Sequence, residues 1–197
     1  MAARAPLLAK LTRPKHFDAL PRERLFARLD EARSRPIVWL CAPPGSGKST
    51  LVATWIEARK LPHLWYQVDV ADSDPATFMH YMRMAAQALL GKRAASLPLF
   101  ASEPQQDLAR FSRSFCRELF AMLPHDTVIV LDNFHEARSP PAQRNAFAQG
   151  LEELPEGINI VVLSRADPPA EFSRLVAGRR IARVDAEELR CTEQETE

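Results

Sequence analysis

Hydrophobic positions along the chain alternate between helical spacing and unbroken apolar runs. RERLFARLDEARS, residues 22–34, puts Leu25, Phe26, Leu29 and Ala32 on one helical face. The run Ile37-Val38-Trp39-Leu40-Cys41 then reads as a buried strand. Lys48 to Lys60 predicts a helix with Leu51, Val52, Trp55 and Ile56 inward, and HLWYQVDV a second strand. Asp74-Pro75 supplies an N-cap and a proline at the first helical position. The helix it opens carries Phe78, Met82, Ala85 and Leu89 on one face. Ala94 to Pro104 contains proline and serine and reads as a loop. A further helix follows, with Leu108, Phe111, Phe115, Leu119 and Met122 at helical spacing. TVIVLD and INIVVLS are apolar strands of the kind covered on both faces, with a helix from Pro141 to Leu154 between them. A short helix near Ala170 to Ala177 and the strand RIARV close the pattern.

Strand and helix alternate throughout, which predicts a parallel sheet with helices on both faces. Ligands in such sheets bind beyond the carboxyl ends of the strands, so the loops there are the places to search for chemistry. The bulk properties narrow the field. A chain of 197 residues, 46% hydrophobic, suits one domain and excludes global disorder. A net charge of +1 argues against a domain that coats nucleic acid or an anionic membrane. The arginine clusters at Arg22, Arg24, Arg28 and at Arg179, Arg180, Arg183 read as solvated faces among acids. Cys41, Cys116 and Cys191 fit neither a disulfide framework nor zinc spacing, as in a cytoplasmic protein, and Cys41 reads as a buried small hydrophobe. No apolar run is long enough to span a membrane, and the first residues do not make a signal peptide.

The stretch APPGSGKST leaves the first strand and enters a helix, the context a phosphate-binding loop requires. Small residues allow the backbone N–H groups of Pro44-Gly45-Ser46-Gly47-Lys48-Ser49-Thr50 to converge on phosphate oxygens, proline contributing none. Lys48 is placed for the β- and γ-phosphates and Ser49 for Mg²⁺. Ala42 stands where the first glycine of this motif usually sits, which is tolerable if its φ is negative. Asp132 ends the strand TVIVLD as a second, magnesium-holding acid does. With the second strand lying outside the Asp132 strand, the order is that of ATPases with an inserted strand. The expected fold is therefore a P-loop NTPase: α/β, a three-layer αβα sandwich around a parallel five-stranded sheet of the additional-strand type.

Many ATPases carry a second acid directly after the Walker-B aspartate, but here it is Asn133, and an amide takes no proton. Glu136 reaches the γ-phosphate side if the loop turns back, and is the candidate base. His135 reads as a packing or hydrogen-bonding residue. Ser164 and Arg165, after the fourth strand, are placed to meet the γ-phosphate or the attacking water, with Arg165 stabilising phosphate charge. The acidic loop DVADSDP is explained by helix capping from Asp74. Two other classes fit the same motifs. One is a small-molecule kinase, which would need a mobile arginine-rich lid. The other is a non-hydrolysing nucleotide-binding interaction module, which Asn133 favours.

KLTRP, PRERLFARL, APPGSGKST, WYQVD, DSDPATF, VLDNFHE and LSRADPPAEFSRL occur in this order. The ordered set resembles the N-terminal nucleotide-binding domain of MalT-like STAND ATPases, the large LuxR-type transcriptional regulators, from Lys10 to Thr192. The resemblance implies that residues 1–35 contribute to the adenine site, with Arg22 near adenine and ribose, and that 36–197 form the ATPase core. It implies ADP in a closed monomer, opening and self-association with ATP, and hydrolysis that resets the switch. The family continues into helical, winged-helix, sensor and DNA-binding domains, so DNA contact is expected only through a domain outside this chain. The chain itself is expected to be an excised or truncated piece of such a regulator.

Overall fold

Alternate residues of each strand enter two different cores, which is why the strands read as unbroken apolar runs. The computed structural model describes residues 8–15, 20–100 and 107–190. Its elements are α1 (Glu23–Ala32), β1 (Ile37–Cys41), α2 (Lys48–Arg59), β2 (His63–Gln67), α3 (Pro75–Leu90), α4 (Leu108–Met122), β3 (Thr127–Asp132), α5 (Pro141–Leu151), β4 (Ile158–Ser164), α6 (Ser173–Ala177) and β5 (Ile181–Asp185). Ile37, Trp39, Leu64, Tyr66, Ile129, Leu131, Ile160 and Val162 face α3, α4 and α5. Val38, Leu40, Trp65, Val128, Val130, Val161 and Leu163 face α1 and α2.

The strand order is β2-β3-β4-β1-β5, and every pairing is parallel. β4 is thus inserted between β1 and β3, and β2 lies outside β3. This is the expected additional-strand αβα architecture.

Several local expectations shift. α5 stops at Leu151 because Glu153 and Leu154 donate to carbonyls three residues back, tightening the last turn. The buried stripe of α4 is Ser112, Phe115, Cys116, Leu119 and Phe120, rotated from the predicted face. Gly150 on α5 explains the rotation. A Cβ there would stand 2.7 Å from Ser112 Oγ and 2.8 Å from Cys116 Sγ, so the helices approach through small residues. The expected loop after α3 begins instead as a 3₁₀ turn over Gly91–Ser96, while its end (101–104) and Cys191 lie outside the described residues. Cys41 is partly exposed at the end of β1 rather than fully buried.

The arginine clusters are solvated faces only in part: Arg179 and Arg183 are exposed, with Arg183 among the acids Asp167 and Asp185, while the others also bind backbone carbonyls. Arg22 donates to the carbonyls of Leu189 and Arg190, Arg24 to those of Glu188 and Arg190, and Arg28 to that of Arg183. Arg180 holds the carbonyls of Glu152 and Leu154. A guanidinium offers five fixed donors, which suits carbonyls left over where helices and strands end. The acidic loop after β2 also does more than cap α3. Asp74 accepts from the Thr77 N–H, as expected. Asp72 is buried, takes the Tyr66 hydroxyl at 2.5 Å, and pairs with Lys10, which also reaches Asp69. The KLTRP segment is thereby strapped beside the edge strand β2, with Leu11 buried and Arg13 on α2 at Glu57.

An aromatic cluster links the sheet to the loops above it. Phe134 packs on Trp39 (5.5 Å between centroids), Phe147 (5.7 Å) and Phe172 (6.1 Å). Phe172 is fully buried. Replacing it with alanine should cost about 3–5 kcal/mol of stability, read from urea unfolding. A loss well below that range would show that the cluster closes over the gap.

Candidate functional site

β1 ends at Cys41, and the chain turns over Ala42 to Gly47 into α2. Gly45 and Gly47 have φ of +76° and +80°, a conformation glycine adopts without steric cost. Ala42 is buried, keeps a negative φ, and its N–H donates to the Ser164 carbonyl at 3.2 Å. An alanine in the place of the motif's first glycine therefore carries no backbone strain. Pro44 and Gly45 are exposed, and Ser46, Ser49 and Thr50 are half-buried. Lys48 Nζ folds back on the loop, donating to the carbonyls of Ala42 (2.6 Å) and Pro43 (2.8 Å) and to Ser46 Oγ (3.2 Å). Burial lowers its pKa, nearby Arg165 adds to that, and Asp132 opposes it.

Ser49 Oγ donates to Asp132 Oδ1 at 3.0 Å. Two residues 83 positions apart are thus joined at the start of α2 and the end of β3. Asp132 is buried, and burial raises its pKa against the opposing hydrogen bonds from Ser49 and the Asn133 N–H. Asn133 has φ +57°, a left-handed conformation that asparagine tolerates well. The chain does turn back after it: Phe134–Glu136 form a 3₁₀ turn, closed by the Glu136 N–H on the Asn133 carbonyl at 2.8 Å. Glu136 is half-exposed, and its Oε1 lies 3.2 Å from His135 Nε2. That spacing is an ion-pair distance without hydrogen-bond alignment, for both His135 nitrogens are buried and unbonded.

Ser164 is buried, and its hydroxyl accepts the Ala166 N–H at 3.0 Å, shaping its own loop. Trp39 Nε1 donates to the Ala166 carbonyl at 2.9 Å, holding the same loop to the sheet. Arg165 is exposed, and its charge acts on both Lys48 and His135. Lys48, Ser49, Asp132, Glu136 and Arg165 therefore gather at one end of the sheet. Arg22 does not join them through its guanidinium, which is bonded to the Leu189 and Arg190 carbonyls at the N-terminal end of α1. His135, which reads from sequence as a packing or hydrogen-bonding residue, lies among these groups. Its spacing from Asp132 was legible, but its burial among charges was not.

The chain matches the AAA ATPase domain family over residues 17–163. It belongs to that family. The match takes in the phosphate loop and Asp132 and ends just before Ser164 and Arg165. Among curated relatives, the HTH-type transcriptional regulator MalT of Cronobacter sakazakii is 31% identical over 191 residues. MalT of Vibrio campbellii is 28% identical over 195. Each alignment covers 95% of this chain but 21% of the relative, so the chain spans about a fifth of their length. The resemblance to MalT-like ATPase domains is thus shown over nearly the whole chain. A solved structure titled Drosophila ORC bound to AT-rich DNA and Cdc6 is similar at 12% identity and TM-score 0.49, covering 83% of this chain and 53% of that one. Among the described residues no helix is long and apolar enough to cross a membrane.

The raised pKa of Asp132 makes a stability prediction. A carboxyl whose folded pKa exceeds its unfolded value destabilises the fold at neutral pH, and the cost fades as pH falls through the folded pKa toward the unfolded one. Asp132→Asn should therefore melt at a higher temperature than the parent at pH 7 without nucleotide. That advantage should shrink as the pH is lowered toward the ordinary aspartate value. Thermal melts across pH check this, and an asparagine variant less stable at pH 7 would contradict it.

Proposed function

We propose that this chain is the ATP-binding and slowly ATP-hydrolysing switch domain of a MalT-like transcriptional regulator, working in the cytoplasm. The observation that carries the reading is the Ser49–Asp132 hydrogen bond beside Lys48. It places a hydroxyl, a carboxylate and an ammonium where a strand-to-helix loop presents its N–H groups. Ser49 and Asp132 are hard oxygen donors, and one carboxylate with substrate phosphates is the usual Mg²⁺ environment. They fit that ion, which when bound would neutralise phosphate charge.

The protein's own groups have distinct parts. The backbone of 44–50 holds phosphate oxygens, and Lys48 exchanges the loop carbonyls for the β- and γ-phosphates. Arg165 lies on the side where the γ-phosphate would stand, and Glu136 brings a carboxylate to the same end of the sheet. Ser164 holds the loop that carries Arg165. The segment 1–35 borders the adenine side, with Arg22 anchoring the start of α1, and 36–197 form the ATPase core. ATP would favour self-association, and DNA would be contacted through domains beyond this chain, as the likeness to transcription regulators suggests. A non-hydrolysing module is the second reading, favoured by the amide of Asn133 beside Asp132.

Lys48→Ala should weaken Mg·ATP binding by at least tenfold in equilibrium titration, while affinity kept at the parental value would contradict the phosphate-loop assignment. Arg165→Ala should weaken ATP more than ADP, and equal losses would remove its γ-phosphate role. Mixing excess protein with Mg·ATP and identifying the bound nucleotide separates the two readings, ADP supporting the ATPase and intact ATP the module.

A further inference from the structure

His135 is a polar side chain that the reading so far leaves without a role. Both ring nitrogens are shut off from solvent; Nε2 stands at ion-pair distance from Glu136, and Nδ1 has no partner. Burying such groups unsatisfied costs free energy, and native proteins seldom retain them without a partner. The ring's charged neighbours come from every segment that meets at the phosphate loop. They are Glu136 on its own turn, Asp132 at the end of β3, Lys48 at the start of α2 and Arg165 after β4. Packing of Phe134 against Trp39, Phe147 and Phe172 fixes the backbone from which the ring projects. Nε2 is the nitrogen beside the Glu136 carboxylate, at 3.2 Å. Nδ1 is left as the second, unbonded nitrogen. The site also has an amide, Asn133, where a proton-accepting acid would follow Asp132.

We propose that His135 is the group that accepts the proton of the attacking water, with Glu136 stabilising the imidazolium. The proposal rests on the ATPase reading above. The water oxygen bonds to the γ-phosphorus as the bond from that phosphorus to the β–γ bridging oxygen breaks, and its electron pair leaves with ADP. The water proton passes to Nδ1, while the Nε2–H is held by Glu136. The imidazolium then returns the proton to solvent as inorganic phosphate departs. A rotation of the ring, as Lys48 leaves the loop carbonyls for phosphate, uncovers Nδ1. Burial, Arg165 and Lys48 keep the ring's pKa below the ordinary histidine value, against the opposing pull of Glu136, so the ring is neutral and able to accept a proton at pH 7.

The test is single-turnover hydrolysis of Mg·ATP across pH, with ATP affinity measured separately. His135→Gln keeps hydrogen-bonding capacity but cannot take a proton. It should slow turnover by about a hundredfold or more, hold ATP affinity within about threefold of the parent, and abolish the fall in rate on the acid side. Glu136→Gln should shift the acid midpoint of the remaining rate to lower pH, because the imidazolium loses its counter-charge. A glutamine variant at position 135 that keeps the parental rate and pH slope overturns the proposal and leaves Glu136 as the base. An unmoved midpoint in Glu136→Gln overturns the pairing even if His135→Gln folds poorly. A parental chain that binds ATP tightly and never cleaves it overturns this proposal and the ATPase reading together, while the phosphate site stands.

Discussion

Parallel pairing makes every strand of this sheet end on the same side. Cys41 of β1 lies in register with Ser164 of β4 and Asp185 of β5, and Gln67 of β2 with Asp132 of β3. The phosphate loop, the Asp132 turn and the Arg165 loop therefore leave the sheet at one level. Residues far apart in sequence meet there without any long side-chain reach, and the Ser49–Asp132 bond is the direct result. Antiparallel pairing of any one strand would send its loop to the opposite end.

Holding those loops in place falls to groups just beneath them. Trp39 spans both functions, with its ring against Phe134 and Phe172 and its N–H on the Ala166 carbonyl. The turn that carries His135 and Glu136 and the loop that carries Arg165 thus share one aromatic support. A shift of either would be felt by the other through packed rings, which resist continuous deformation. On the opposite face, Arg22 at the N-cap of α1 and Arg24 and Arg28 within it bind carbonyls among residues 183–190. The first helix of the domain is thereby tied to its last described segment.

The electrostatics of the site run against stability. Asp132 is buried with its pKa raised and Lys48 has its pKa lowered, so each charge is held at a cost that burial imposes. A binding site keeps such costs when its charges serve a ligand, the role proposed above for these two residues. The contrast with Asp72 is instructive. That buried acid has Lys10 and the Tyr66 hydroxyl as partners and serves the strap beside β2. Its loop read from sequence as a helix cap, and its bonds to Lys10 and Tyr66 add a second structural role.

Much of this protein was legible in its residues. Apolar runs without alternation require a sheet covered on both faces. The distance between the phosphate loop and Asp132 leaves room for the outer strand, and a glycine-rich turn between strand and helix names its own ligand class. These are local or periodic properties, set by steric and hydrophobic preferences that act along the chain. The rotated face of α4 was hidden because it depends on Gly150 of another helix. The carbonyl bonds of Arg22, Arg24, Arg28 and Arg180 were hidden because their acceptors are distant in sequence, up to 168 positions away. His135 read as a packing or hydrogen-bonding residue, and the charges around it are a property of the assembled site. Sequence alone therefore determined which elements form and which loop has the form of a phosphate-binding loop. Tertiary structure decided which polar groups are paired, because pairing depends on where distant segments come together.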